Sequence, residues 1–265
     1  MIRPDYLITE NAAVYHAQAH SYLSSHRLAD FRKCPELFHR KQIGLIPDKD
    51  SPAYLLGRAA HTLILEGRDA FEAEYAVGGP VNPKTGQPFG KATKAFQEWA
   101  NEQGTPVLTD DDAALVGQLN RSVQVHPVAP RLLTGGVAES VCRAEYCGVP
   151  CQVRPDCFHP EHGIVDLKTC DDLTWFEADA ARYGYIYQMA FYRAVLRVAA
   201  GVTIPVHIVA VEKREPFRCG VWLVAEAALD SAEAENAAAI ERLKQCAATG
   251  LWPSGYEAVR IFDSV

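Results

Sequence analysis

One short run constrains this chain more than any other. Gly163-Ile164-Val165-Asp166-Leu167-Lys168 is apolar except at two positions, and both of those carry charge. In a strand, alternate side chains share a face, so Asp166 and Lys168 point one way while Val165 and Leu167 point into a core. The outcome is a charged pair on a strand that otherwise reads as buried. Upstream, a strand ends near Phe158 and residues 159–163 supply a turn, so the two runs read as a hairpin. A further carboxylate, Asp156, precedes Asp166 by ten positions.

Two acidic oxygen donors suit a hard divalent cation such as Mg²⁺ or Mn²⁺. Such a cation polarises a phosphoryl oxygen and lowers the pKa of bound water. A nearby lysine can position that water or stabilise developing negative charge. These are the minimal parts for metal-assisted phosphodiester hydrolysis. An isolated DxK is more often an exposed strand pair, since surface charges are mostly solvated. Its surroundings shift that weighting. A helix begins at Tyr185, and its Gln188 and Tyr192 are four apart and share a face.

The order Arg154-Pro155-Asp156, then Asp166-Leu167-Lys168, then Gln188 to Tyr192 resembles the PD-(D/E)xK nuclease superfamily. More narrowly, it is similar to the RecB-like and RecE-like exonucleases of the exonuclease VIII type. The resemblance implies an α/β fold with a central mixed β-sheet flanked by helices, the restriction-endonuclease-like core. It also implies roles. Asp156 and Asp166 ligate metal together with the Leu167 carbonyl, Lys168 serves the attacking water, and Gln188 and Tyr192 support the site or touch DNA. His61, in a GxxxH segment with Gly57, is the third side-chain ligand by the same resemblance; read alone, a histidine in an apolar run is more often a core residue. Glu139, at the start of a strand, matches a glutamate that related nucleases carry near the metals, and reads equally as an exposed strand residue. The run SSHRLADFRKCPELFHR resembles the first helix of RecB-family nucleases. Its basic face, Arg27, Arg32 and Lys33, joins Arg154 and Lys91 as candidate DNA contacts, although a solvated helix face explains it as well. The implied function is a Mg²⁺-dependent 5′-to-3′ exonuclease resecting double-stranded DNA ends, with Mn²⁺ able to substitute. The implied partners are further copies in a ring, possibly a tetramer, and a single-strand annealing protein. A non-catalytic DNA-binding scaffold and an endonuclease of the same fold are the alternatives.

Composition bears on that reading at three points. The 265 residues read as one domain, with a helical part over 21–135, a catalytic sheet over 137–225 and a last helix over 229–249. The net charge of −7, from 26 Lys and Arg against 33 Asp and Glu, is a poor global signature for a DNA binder. A local positive channel and bound cations answer that objection, while non-specific coating of DNA is disfavoured. The eight cysteines form no CxxC pair, so they read as reduced, buried apolar residues; neither a zinc site nor an iron–sulfur cluster is expected. No run of eighteen apolar residues and no secretory leader is seen, which points to a cytoplasmic protein of bacterial or phage origin with no membrane partner.

Along the chain, residues 1–20 read as a loose lead-in. Helices are expected from Ser24-Ser25 to Gly44, from Ser51-Pro52 to Glu66, and over 91–103, 109–125, 174–181, 185–200 and 229–249. Strands are expected over 71–77, 137–146, 149–158, 164–168, 205–213 and 217–225, with 137–146 and 149–158 forming one hairpin. Residues 78–90 read as a loop that contains no Walker sequence.

Overall fold

The protein is described by a computed structural model covering residues 4–47 and 52–261. The N-terminal part is helical. Helices α1 (Ala12–Ala17), α2 (Ser25–Lys33) and α3 (Pro35–Gln42) come first. Helix α4 (Pro52–His61) runs into a single π turn over Thr62–Glu66, followed by α5 (Arg68–Glu74). Strands β1 (Ala76–Val77) and β2 (Val107–Leu108) pair in parallel around α6 (Lys94–Gln103). Helices α7 (Asp110–Val125) and α8 (Ala129–Leu133) lead to the sheet. Thr109 and Asp112 start α7 with a reciprocal capping box, as the sequence order T-D-D-D requires.

The sheet strands are β3 (Val137–Ala138), β6 (Cys157–His159), β7 (Gly163–Cys170), β8 (Val206–Glu212) and β9 (Cys219–Leu223), in the order β3-β6-β7-β8-β9. Within this five-stranded sheet, only the β7–β8 pairing is parallel. A parallel neighbour needs a crossover, and α9 (Phe176–Tyr183) with α10 (Tyr185–Ala200) provides it. A separate hairpin, β4 (Cys142–Tyr146) with β5 (Val149–Val153), packs against α10. Helix α11 (Glu226–Thr249) closes that side.

Both sheet faces are buried. Val165, Leu167, Val209 and Val211 pack against Ala59 and Ala60 of α4 and Val116 and Leu119 of α7. Ile164, Ile208 and Ala210 pack on the other side with Met189, Ala190 and Leu196 of α10. Each such apolar side chain contributes about 1.5–3 kcal/mol by leaving water. Asp166 and Lys168 share the parity of Ile164, so they enter the layer between the sheet and α10. Helix α10 is buried continuously from Met189 to Leu196, which includes Arg193. That guanidinium is held by Asp230 at 2.5 Å and Glu233 at 3.0 Å on α11, the pairing a buried cation requires.

Several sequence expectations are corrected. The helix expected from Ser24 to Gly44 is two helices, because Pro35 disfavours helical backbone at Cys34, which is extended at φ −164°. The strand expected over 71–77 is mostly helix α5, since Phe71 and Tyr75 are at helical spacing and stack at 5.4 Å. The strand expected over 137–146 breaks at Glu139, so β3 joins the main sheet with β6 while β4 pairs with β5. The lead-in contains α1, capped by the Asn11 side chain, and Ile8 bridges to Val141. Ser51, the expected start of α4, lies outside the described residues. All eight cysteines are free thiols, and Cys142, Cys151, Cys157 and Cys170 are buried.

The β6–β7 turn generates a test. Gly163 has φ +71°, and a Cβ there would sit 2.2 Å from the Pro205 carbonyl oxygen. Gly201 has a similar φ of +72° with nothing near its missing Cβ. Gly163→Ala should therefore lose at least about 2 kcal/mol in urea unfolding, whereas Gly201→Ala should lose about 1 kcal/mol from backbone strain alone.

Candidate active site

The site assembles where two chain segments leave the sheet together. Ala138 pairs with Cys157, and beyond that pair both strands turn away. Glu139 takes a left-handed conformation, φ +51°, rare for a residue with a side chain. Its amide donates to the Asp156 carbonyl at 3.0 Å, which sets the two acids side by side. Pro155 precedes Asp156 and ends the ladder on that strand. The Asp156 carboxylate accepts a hydrogen bond from the Leu167 amide at 2.7 Å, which ties it to β7.

His61 arrives from the opposite side. It is the last residue of α4, where the helix widens into its π turn, a distortion found often at functional sites. Its Nδ1 lies 3.6 Å from Asp156 Oδ2. One donor atom each from His61, Glu139 and Asp156 falls within 4.8 Å of the others. Among the described residues, this is the one such group of three histidine, cysteine or acidic side chains.

Asp166 stands beside that trio. Its side chain is 1 % exposed and touches the Lys168 ammonium. Neither carboxylate oxygen has a hydrogen bond of good geometry among the described residues. A buried carboxylate left this way costs free energy unless a cation or proton satisfies it. The oxygen and imidazole donors of His61, Glu139 and Asp156 fit a hard divalent cation such as Mg²⁺ or Mn²⁺, while Asp166, outside that group of three, is met by the Lys168 ammonium.

The electrostatics agree. Burial, and then the Asp156 charge, push the Glu139 carboxyl up to about 7. Burial likewise pushes Asp166 up to about 6 against the pull of Lys168. Burial would raise Asp156 too, but His61, Lys168 and the Leu167 amide outweigh it and hold that carboxyl at about 2. Burial would lower both His61 and Lys168; the neighbouring carboxylates override it and raise both. Without metal, Lys168 is therefore an ammonium ion.

The other expected positions divide. Gln188 Nε2 donates to Tyr192 Oη at 3.1 Å, so the predicted pair is in contact. Tyr192 is only 5 % exposed and belongs to the core, so it braces Gln188 from within and is not placed to pack on a nucleotide. Arg154 faces inward: its Nη1 meets Glu139 Oε2 at 2.8 Å and its Nε donates to the Glu139 carbonyl at 3.3 Å. It holds the kinked Glu139 rather than presenting a free cation to a ligand. Lys91 is paired with Asp112 at 2.5 Å. Arg27 lies over the Phe38 ring and donates to the Ala19 carbonyl. Arg32 lies 3.7 Å over Tyr187 and donates to Asn236 at 2.7 Å, while Lys33 is exposed. Tyr185 was not singled out in the sequence, yet its ring lies 5.0 Å from Lys168 Nζ. Its position three residues before Gln188 was the available signal, because i and i+3 share a helix face.

Two surface hollows among the described residues can be set against this site. The larger, about 400 Å³, is lined by Leu63, Phe71 and Tyr75 and includes none of these site residues. The smaller, about 90 Å³, is lined by His26, Arg32, Tyr183, Tyr185 and Gln188, and so adjoins Lys168 through Tyr185.

Comparison with known proteins bears on the fold. No curated protein matches the sequence. The crystal structure of a candidate exonuclease from Eubacterium rectale superposes with a TM-score of 0.71 at 16 % identity, covering 97 % of each chain. The alkaline exonuclease LHK-Exo from Laribacter hongkongensis aligns at a TM-score of 0.29 and 15 % identity, over 91 % of this chain and all of that one. The same enzyme in complex with dAMP aligns at 0.27 and 17 % identity, over 75 % and 97 %. The family model described as a PDDEXK-like domain of unknown function (DUF3799) matches residues 24–264, and the chain with its mixed sheet between helical layers belongs to that family.

Proposed function

We propose that this protein is a metal-dependent deoxyribonuclease, acting as a 5′-to-3′ exonuclease on linear double-stranded DNA. The observation that carries the reading is the convergence of His61, Glu139 and Asp156 beside a buried Asp166–Lys168 pair. The Eubacterium rectale neighbour, itself named as a candidate exonuclease, shares the fold and fits the same class. The finer parts of the reading rest on the family resemblance alone: cleavage polarity, a ring-shaped homo-oligomer and a single-strand annealing partner in recombination.

His61, Glu139 and Asp156 would hold Mg²⁺ or Mn²⁺, with Asp166 completing the acidic wall. When bound, the cation supplies a water of lowered pKa and neutralises charge on the phosphate. The chain's own groups do the rest. The Leu167 amide fixes Asp156, and Arg154 fixes Glu139 from behind, leaving its second oxygen available. Lys168, protonated before metal arrives, donates to the attacking water or to a phosphoryl oxygen. The Tyr185 ring lies against that ammonium, and Gln188, braced by Tyr192, follows three residues on along the same helix.

Linear duplex labelled at either end, with and without a 5′-phosphate, should lose its label from the 5′ end in Mg²⁺, while circular duplex is spared. Asp156→Asn and Lys168→Met should each lower the rate by at least about 10³-fold with the far-ultraviolet spectrum unchanged. No Mg²⁺-dependent loss from the wild type would make the chain a non-catalytic module, and cutting of the circle would make it an endonuclease.

A second expectation concerns pH. Glu139 and Asp166 are raised on folding, so the stability each gives is complete below its unfolded pKa, near 4, and is lost as pH rises through about 7 and about 6. A cation competes with those protons. The rise in melting temperature on adding Mn²⁺ to protein in chelator should thus grow between pH 5 and pH 8. Glu139→Gln should remove the upper part of that increase; a flat response in the wild type would contradict the assignment.

A further inference from the structure

Beside the metal site the chain alternates tyrosines and cations in a way the hydrolytic groups do not explain. Residues Tyr183, Tyr185 and Tyr187 lie at every second position across the junction of α9 and α10. Gly184, at φ +73°, provides the left-handed turn between them. Each ring carries a cation. The Arg182 guanidinium lies 5.4 Å from the Tyr183 ring, Lys168 Nζ lies 5.0 Å from Tyr185, and the Arg32 guanidinium lies 3.7 Å from Tyr187. Tyr183 and Tyr185 are themselves 5.9 Å apart with planes tilted by 31°. The row therefore runs from solvent, where Tyr183 is 60 % exposed, to the ammonium of the hydrolytic centre.

A large exposed aromatic is not by itself a site. Three features distinguish this one. The row is continuous with Lys168, it borders the hollow lined by His26, Arg32 and Gln188, and it interleaves rings with positive charge. Nearby acids are partly committed elsewhere: the Tyr187 hydroxyl donates to Glu235 at 2.8 Å, and Trp222 Nε1 donates to Glu177 at 3.0 Å. Asp179 is the acid that faces Tyr185 from α9. Alternating π faces and cations match a single nucleic-acid strand, whose bases stack on rings and whose phosphates meet the charges.

We infer that Tyr183 with Arg182 forms a stacking subsite for an unpaired nucleobase of the strand being cut, one step outward from the phosphate at Lys168. The inference rests on the deoxyribonuclease reading for its substrate and adds to it a place where the duplex end must be frayed. The row supplies the contact that offsets the lost base pair.

The test uses duplex DNA carrying 2-aminopurine at the terminal position, bound to the Lys168→Met protein so that it is not consumed. Stacking quenches the probe. Quenching should be lost in the double variant with Tyr183→Ala and kept with Tyr183→Phe. In otherwise wild-type protein, Tyr183→Ala should raise KM about tenfold with kcat little changed. Arg182→Ala should have a smaller effect that fades at high salt. Hydrolysis that proceeds normally in Tyr183→Ala, with quenching intact, overturns the subsite and leaves the nuclease reading standing. Tyr183-dependent quenching in a wild type inert toward DNA overturns the nuclease reading and leaves the subsite. Absence of quenching in the parent protein overturns the subsite directly.

Discussion

The structure depends on a carboxylate placed where water cannot reach it. Asp166 lies in β7, the first strand of the parallel pair, with packed apolar layers on both faces of the sheet. Its oxygens lack hydrogen bonds of good geometry among the described residues, and the Lys168 ammonium is the cation that touches them. In so dry a setting an isolated charge costs several kcal/mol. The protein carries that cost by keeping counter-charges within reach, Lys168 on the same strand and then His61, while Asp156 adds a like charge beside it. A group destabilised this way is poised to bind a cation, because binding relieves what folding imposed.

The surrounding fold serves to keep that arrangement rigid. Leu167 contributes twice. Its side chain anchors β7 to the α4 and α7 layer, and its amide holds the Asp156 carboxylate. The strand thus fixes one acid by its own backbone and another by its own side chain. Arg154 does the same for Glu139, gripping both its carboxylate and its carbonyl across the bend. The left-handed backbone at Glu139 is a local cost that this grip offsets. An ordinary continuous hairpin over the same residues would carry Glu139 along the sheet and away from Asp156.

Much of this was legible in the sequence because the catalytic order is also a packing order. The alternation around Asp166 and Lys168 announced the strand, and the spacing of Gln188 and Tyr192 announced a shared helix face. The bend at Glu139 was not legible. Residues 137–146 have strand character throughout, and what divides them is tertiary: β3 pairs with β6 while β4 pairs with β5. The break at Cys34 was available from Pro35 and was masked by apolar periodicity on both sides of it. Arg154 read as a surface cation because its partner lies fifteen residues away, across a bend the sequence does not mark. The burial of Tyr192 was hidden for a related reason: α10 is enclosed from Met189 to Leu196, so polar residues there face core as well as site.

The acidic balance of the chain also takes a local form. A net charge of −7 repels a polyanion at long range. In the basic N-terminal run, Arg40 pairs with Glu36 at 2.6 Å and Lys41 with Asp30 at 2.8 Å. Farther on, Arg143 is paired with Glu10 at 2.6 Å. Arg32 and Arg182 each lie against a tyrosine ring instead, and Lys168 lies against Tyr185 while also paired with Asp166. A ring orients a cation without cancelling its charge, so Arg32 and Arg182 keep positive potential, whereas carboxylates offset it at Lys168 and Arg154. Attraction of DNA then falls off within about 8–10 Å at physiological salt, the distance over which ions screen a field. On the proposed nuclease reading, such a charge distribution disfavours accumulation on DNA at large and favours a strand end reaching the hollow beside Tyr185.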